Sequence, residues 1–248
     1  MQYKFMSPDD IRNAIKENTP VVISIGNLEY HSGHLPIGTD GLIIEGCLKR
    51  LEKRHPELIL LPEFYYGTSS FAVAGPESGS LSVDSMTVCR FAEELFTNLL
   101  QTGFKNIHGF VYHQSENFMQ GMPLDLAFRF AGRRAIFAEE ERKKGRGWWG
   151  NSSMKNYYDA PENNIFDHIM IHSLTNEKIE EAFSSDHAGV VETSAMMELY
   201  PETVHMEKHI QADWFAESSL QASAEFGKRY ISAILDNMEG LLFGEIYE

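Results

Sequence analysis

Short apolar runs alternate with helix-length segments along this chain, and this alternation constrains its fold more than any other feature. The runs Val21–Gly26, Leu58–Leu61, Ile107–Tyr112 and Arg134–Ala138 predict four strands. Mostly apolar runs of this length are typical of strands that are buried on both faces. We therefore predict an α/β fold in one domain, residues 1–248, with a mainly parallel sheet flanked by helices on both faces.

Helices are predicted where apolar residues recur at helical spacing or where capping residues mark an end. Ser7 followed by Pro8 and two acids predicts the start of a first helix. The same reasoning predicts further helices over residues 41–54, 86–100, 117–130, 187–199 and 218–241. Residues 139–164 show no clear period, which indicates a lid or an interface segment.

The charge balance excludes some classes of partner. The chain has 21 Lys and Arg against 36 Asp and Glu, a formal net charge of −15, which repels nucleic-acid phosphates and anionic membranes. Cys47 and Cys89 are both predicted within helices, which favours buried thiols in a reducing compartment. Without a signal-peptide core or a long apolar run, we expect a soluble cytoplasmic protein with neither nucleic-acid nor membrane partners.

Polar residues concentrate in the loop after the first predicted strand. Glu29 and His31 would point the same way in an extended segment, and Asp40 follows a Pro-Gly turn. Carboxylates and imidazoles together suit zinc or manganese, and two ions could share Asp40. The alternative is that the acids cap the next helix and the histidines lie on the surface.

Two further groups lie where they could meet this loop. His113 and Glu116 follow the third predicted strand, and strand ends converge at one edge of a parallel sheet. His113 could instead be an ordinary loop histidine, and Glu116 a first-turn helix acid. His187 and Glu192 stand at the start of a predicted helix, for which Asp186 could serve as the cap.

Three motifs, in this order, resemble those of the creatininase family of metal-dependent amidohydrolases. Residues 29–40 match the pattern Glu-x-His-Gly-x-His-Leu-Pro-x-Gly-Thr-Asp, with Ser32 and Gly33 in place of the usual Gly-x pair. Residues 187–194 match His-Ala-Gly-x-x-Glu-Thr-Ser, and the expected Pro and Val follow. The resemblance implies the creatininase fold.

The middle motif departs from the family. Creatininases proper have His-x-Glu-Asn, whereas this chain reads His113-Gln114-Ser115-Glu116-Asn117, with one residue inserted before Glu116. The family's Phe-x-Gly-Thr segment is also altered, to Gly79-Ser80-Leu81-Ser82. These changes bear on the identity of the substrate.

The resemblance implies a site with two divalent ions, for which zinc is favoured and manganese or iron are alternatives. Glu29, Asp40 and His113 would hold one ion. His31, Asp40 and Glu116 would hold the other, so that Asp40 bridges the pair. Such ions activate a shared water and polarise the attacked carbonyl.

The resemblance also implies roles for residues around the ions. His187 would carry a proton to the departing nitrogen, and Glu192 would act as a catalytic acid or support the site. His34 would orient a ligand or touch the substrate, with a purely structural role as the alternative. Apart from the resemblance, the adjacent Trp148 and Trp149 after the flexible stretch 145–147 indicate either a lid over a small flat substrate or packing between subunits.

The resemblance implies an enzyme that hydrolyses a carbon–nitrogen bond in a small, sometimes cyclic, amide. Deformylases and ring-opening hydrolases of oxidised inositols share the family and are alternatives. A metal-binding paralogue without catalysis is a third hypothesis. The family's tendency to form hexamers further implies a homo-oligomer.

Overall fold

A computed structural model describes residues 1–113, 121–159, 164–184 and 186–244. Within these ranges four parallel strands form one sheet in the order β2-β1-β3-β4. The strands are β1 Val21–Ile25, β2 Ile59–Leu60, β3 Ile107–Val111 and β4 Ile169–Ser173.

Seven α-helices accompany the sheet in the described part of the chain, and 3-10 turns join several of them. The helices are α1 Pro8–Lys16, α2 Thr39–Arg54, α3 Ser85–Thr102, α4 Pro123–Lys144, α5 Glu177–Phe183, α6 Val190–Leu199 and α7 Ala224–Phe243. None of these described helices combines the length and apolar character needed to cross a bilayer.

Helices cover both faces of the sheet. All five residues of β1 are buried, as the continuous apolar run predicts. Val21, Ile23 and Ile25 pack into a core shared with α3 and α4. Val22 points to the other face and packs into a second core with α2, α6 and α7. The predicted α/β class with a mainly parallel sheet is confirmed.

The predicted strand at Arg134–Ala138 is wrong, because these residues continue helix α4. Phe128, Ala131 and Ala135 are buried in the core. Their spacing of three and four residues is that of a helix face, not of a strand. The predicted helix over residues 117–130 is correct only from Pro123 onward, and its first four residues lie outside the described part.

The fourth strand is instead β4, within a stretch that carried no strand signal. Ile169 is buried, but the other four residues of β4 are only partly buried, since the strand is at the edge of the sheet. Polar His172 and Ser173 weaken its apolar pattern further. Glu139–Lys144, predicted to start an unperiodic segment, forms the end of α4.

The strand order creates a crevice between β1 and β3. Strand β2 pairs with one edge of β1, and β3 pairs with its other edge. In the β1–β3 pair, Val21 lies opposite Ile107 and Ile25 opposite Val111. In open parallel sheets ligands bind at such a reversal, beyond the carboxyl ends of the strands. The loops after β1 and β3 therefore have the best position for a functional site.

A close approach of two glycines brings helix α2 to the end of β1. A Cβ atom added to Gly26 would lie 2.5 Å from the Cα atom of Gly41. Because that atom belongs to the backbone, it cannot move aside. The contact places Asp40, in the first turn of α2, beside the loop that carries Glu29 and His31.

Gly26→Ala should therefore destabilise the protein by about 1 to 3 kcal/mol, the scale of overpacking in a filled interior. Gly150→Ala is the matched control, since nothing lies within 4 Å of its added Cβ. Its effect should stay within about 0.5 kcal/mol. Chemical denaturation of both variants measures this, and equal stabilities would contradict the close approach.

Buried His108 of β3 interacts with partly buried His172 of β4. His108 Nε2 lies 2.8 Å from Asn106 Oδ1, and His108 Nδ1 lies 3.0 Å from His172 Nε2. The amide oxygen accepts, so Nε2 of His108 is protonated and its Nδ1 accepts from His172. Burial lowers the pKa of His108 to about 3 and that of His172 to about 4.

This pair should make the fold sensitive to acid. Below pH 6.5 the unfolded chain takes up protons at both histidines while the folded protein does not, so stability falls as the pH falls toward about 4. Each histidine contributes up to about 1.4 kcal/mol per pH unit. His172→Gln should reduce the slope of the free energy of unfolding against pH, measured by urea denaturation between pH 6.5 and 4. An unchanged slope would contradict this prediction. The exposed His205, replaced by Gln, is the control.

Candidate metal centre

The loop after β1 is held rigidly by hydrogen bonds on both sides. The Glu29 amide donates to the Ile37 carbonyl at 2.9 Å, which closes the loop on itself. The Leu81 amide donates to the Leu28 carbonyl at 2.8 Å, and the Tyr30 amide donates to Ser80 Oγ at 3.0 Å. The altered segment 79–82 thus lies directly against the first motif.

Glu29, Asp40 and His113 meet in a buried cluster at the carboxyl edge of the sheet. His113 Nδ1 lies 2.9 Å from Glu29 Oε2 and 3.2 Å from Asp40 Oδ2. Burial opposes protonation of His113, but these two carboxylates outweigh it and raise its pKa to about 10. The cluster therefore attracts a positive charge to the point where the three side chains meet.

His31 forms the centre of a neighbouring cluster. Its Nδ1 lies 2.9 Å from the Glu29 carbonyl and must donate to it, so in the neutral ring Nε2 carries the lone pair. That nitrogen lies 3.3 Å from Asp40 Oδ1 and 3.5 Å from Glu192 Oε2. A lone pair facing two carboxylates is repulsive unless a proton or a metal ion lies between them.

The donor set of these clusters fits divalent metal ions. Nε2 of His31 and Nε2 of His113 are buried with no hydrogen-bond partner among the described residues. Burial opposes protonation of His31, yet Asp40 and Glu192 raise its pKa to about 10. Carboxylate oxygens with imidazole nitrogens are ligands suited to zinc and manganese.

The two oxygens of Asp40 face different histidines. Oδ1 faces His31 and Oδ2 faces His113. Burial disfavours the Asp40 carboxylate, but the two imidazoles hold its pKa well below the usual range. One carboxylate thus serves both clusters.

His187 lies against the second cluster. Its ring stacks on that of His31 with centroids 4.5 Å apart, and its Nε2 donates to the Tyr30 carbonyl at 2.9 Å. Burial lowers the pKa of His187, which keeps the ring neutral near pH 7. His31, His187 and Glu192 also offer one ligand atom each within 4.8 Å of one another. The geometry thus allows either a proton-transferring or a metal-binding His187.

Residues around helix α6 have mixed roles. Asp186 accepts from the Val191 and Glu192 amides at 2.8 and 3.4 Å, as a cap would. Glu192 Oε2 accepts from the Ala188 amide at 2.7 Å, which holds the carboxylate toward His31. Burial raises the pKa of Glu192 to about 8.

His34 is fully buried behind the clusters. Its Nε2 lies 2.9 Å from Thr193 Oγ1, and its ring centroid lies 5.3 Å from that of His209. Burial, followed by the charge of His209, lowers the pKa of His34 to about 4. Its contacts are those of a structural histidine, and a substrate contact stays a prediction.

The contacts of the two predicted tryptophans lie outside these clusters. Glu116 lies outside the described residues. The Trp148 ring packs on Phe137 of helix α4 with centroids 5.7 Å apart, and the Trp149 ring packs on Phe166 at 6.0 Å. Phe137 lies in the carboxyl-terminal half of α4, and none of these ring contacts joins the tryptophans to the clusters of their own chain.

Several residues of the site were missed from the sequence. Asn27 Nδ2 donates to Glu29 Oε2 at 3.3 Å and orients it. Its position directly after β1 could have indicated this role. Phe215 packs on His187 with ring centroids 5.3 Å apart. Phe215 is far from the three motifs in the sequence, and no local pattern indicates its role.

Comparisons with known proteins identify the family of this chain. The sequence profile of the creatininase family, described as creatinine amidohydrolase, matches residues 4–242. A creatinine amidohydrolase from Pseudomonas putida is 25% identical over 195 residues, which cover 76% of this chain and 67% of that protein.

Solved creatininases share the fold at low sequence identity. One creatinine amidohydrolase superposes with a TM-score of 0.72 at 17% identity, covering 100% of this chain and 98% of the other. A Mn creatininase gives 0.71 at 16% identity, with 100% and 99% covered. A mutant creatininase of the Zn-Zn type gives 0.70 at 16% identity, with 100% and 98% covered.

The protein is a metal-dependent hydrolase with an α/β fold. Because the family profile matches nearly the whole chain, the chain belongs to the creatininase family of amidohydrolases. The resemblance carried by the three motifs is thereby confirmed.

Proposed function

We propose that the protein hydrolyses a carbon–nitrogen bond in a small cyclic amide at a site for two divalent ions. The observation that carries this proposal is the position of Asp40, whose two oxygens face His31 and His113 separately. Glu29, Asp40 and His113 would hold one ion, and His31 and Asp40 the other. Glu192 is the other carboxylate that faces His31 Nε2.

The chemistry that two divalent ions supply in such a site is activation of water as a nucleophile and polarisation of a carbonyl. Hydrogen bonds hold the side chains of the site in the orientation that this chemistry requires. Asn27 orients Glu29, and the Glu29 carbonyl fixes the ring of His31. Zinc suits the mixed oxygen and nitrogen donors, with manganese or iron as alternatives.

His187 is placed to move a proton. Its Nε2 is committed to the Tyr30 carbonyl, so Nδ1 is the atom that can accept a proton and return it to a departing nitrogen. The lowered pKa keeps Nδ1 unprotonated at neutral pH. Glu192, with its raised pKa, would support this transfer, since its Oε2 lies 3.5 Å from His31 Nε2.

A substrate screen tests the proposed reaction. The Zn²⁺- and Mn²⁺-loaded proteins are assayed with creatinine and other cyclic amides, with formamides and with keto-inositols. We expect turnover of a cyclic amide, because the family profile and the Pseudomonas putida relative are both described as creatinine amidohydrolase. Turnover confined to formamides or keto-inositols would contradict the proposed reaction and assign one of these alternatives. Metal binding without any turnover would favour a non-catalytic paralogue.

We also propose that the protein is a homo-oligomer, with a hexamer favoured. Trp149 and Tyr158 expose 42% and 82% of their surface in a segment dense in aromatic rings, which is commoner at interfaces than on free surfaces. Light scattering should give a multiple of the 28.2 kDa chain mass. A stable monomer at micromolar concentrations would contradict this, and Trp149→Ala should weaken the assembly.

A further inference from the structure

A segment from the C-terminal part of the chain packs tightly on the loop that carries Glu29 and His31. A Cβ atom added to Gly33 would lie 2.3 Å from the Lys208 carbonyl oxygen, so only glycine allows this contact. The His205 amide donates to the His34 carbonyl at 2.9 Å. Residues 205–221, here called the rim segment, are therefore fixed against the candidate metal centre.

One side-chain hydrogen bond anchors the middle of the rim segment. The Tyr30 hydroxyl donates to Asp213 Oδ2 at 2.9 Å. Tyr30 lies between Glu29 and His31 in the chain, and its carbonyl accepts from His187. Asp213 thus ties the rim segment to the same residue that orients the candidate proton carrier.

The residues after this anchor form a series of aromatic contacts that leads to His31. The ring centroid of Trp214 lies 5.9 Å from that of Phe215, which lies 5.3 Å from that of His187. His187 in turn stacks on His31. Trp214 nevertheless exposes 82% of its surface, although its backbone is held by the neighbouring anchor.

We propose that Phe215 and Trp214 form the substrate-facing wall of the site, with Trp214 stacking on a planar cyclic amide. This inference rests on the proposed function and assigns its pocket wall. A flat indole is suited to a flat amide ring, since offset stacking gains contact area at little entropic cost. The rim segment would thereby supply a covering wall of the kind that the sequence suggested for Trp148 and Trp149.

Fluorine NMR of the full chain labelled with 5-fluorotryptophan tests the placement. Trp148→Phe, Trp149→Phe and Trp214→Phe variants assign the three signals. Mn²⁺ loading should broaden the Trp214 signal beyond detection, while Zn²⁺ loading leaves it sharp. A sharp Trp214 signal with stoichiometric Mn²⁺ would overturn the inference. Failure to bind Mn²⁺ or Zn²⁺, seen by elemental analysis, would instead overturn the proposed function on which it rests.

Kinetics test the role of the wall separately from its position. Trp214→Ala should raise KM for the cyclic amide by about tenfold and change kcat by less than about threefold, because stacking contributes equally to ground and transition states. Its thermal midpoint should not move, since the ring is exposed. Phe5→Ala, which removes an exposed aromatic ring outside the rim segment, is the control and should leave KM unchanged. An unchanged KM in Trp214→Ala would overturn the inference.

Discussion

Asp40→Ala should abolish activity and leave the purified protein unable to retain either divalent ion. Asp40 is buried, and each of its oxygens faces a different histidine, so its removal opens both proposed ligand sets at once. Elemental analysis after dialysis measures the loss. The expected loss of activity is the full catalytic effect of the ions, which is many orders of magnitude for metal-activated hydrolysis.

Asp40→Asn is the matched variant for this experiment. It retains the shape of the side chain but lacks the charge that two cations would share, so it should also lose at least one ion. Circular dichroism shows whether either variant is still folded. Stoichiometric retention of two ions in a folded Asp40→Ala protein would contradict the bridging role.

His187→Asn should lower kcat by about a hundredfold or more while the metal content stays unchanged. That is the usual scale for losing a general acid or base. The expectation follows from the hydrogen bond to the Tyr30 carbonyl, which leaves Nδ1 free to exchange a proton. Stopped assays and elemental analysis on the same preparation measure both quantities.

The exposed His205, replaced by Asn, is the control and should change neither quantity. Loss of one ion from His187→Asn would contradict the proton-transfer role. It would make His187 a ligand together with His31 and Glu192, whose ligand atoms lie close enough for that alternative.

Much of the fold could be predicted because buried parallel strands have a strong local signature. The run at Val21–Ile25 is apolar on both faces, since helices cover both faces. The edge strand Ile169–Ser173 has partly exposed residues and two polar ones, so it carried no such signature. Arg134–Ala138 resembles a short strand only when its helical neighbours are ignored.

The candidate site was predictable where its residues lie close together in sequence. Glu29 and His31 lie in one loop, and Asp40 follows in the first turn of α2. The parallel sheet brings the loop after β3, with His113, to the same edge. Asp213 and Phe215 approach this site only through tertiary packing of the rim segment. The covering role of Trp148 and Trp149 stays a prediction, because adjacent tryptophans fit a lid and a subunit interface equally well.

The metal content of the wild-type protein tests the central claim most directly. The protein is stripped with a chelator, incubated with excess Zn²⁺ or Mn²⁺, dialysed, and measured by elemental analysis against protein concentration. We predict close to two divalent ions per chain, with a parallel rise in thermal stability because the ions bind only the folded site. A folded protein that binds no divalent ion would contradict the account.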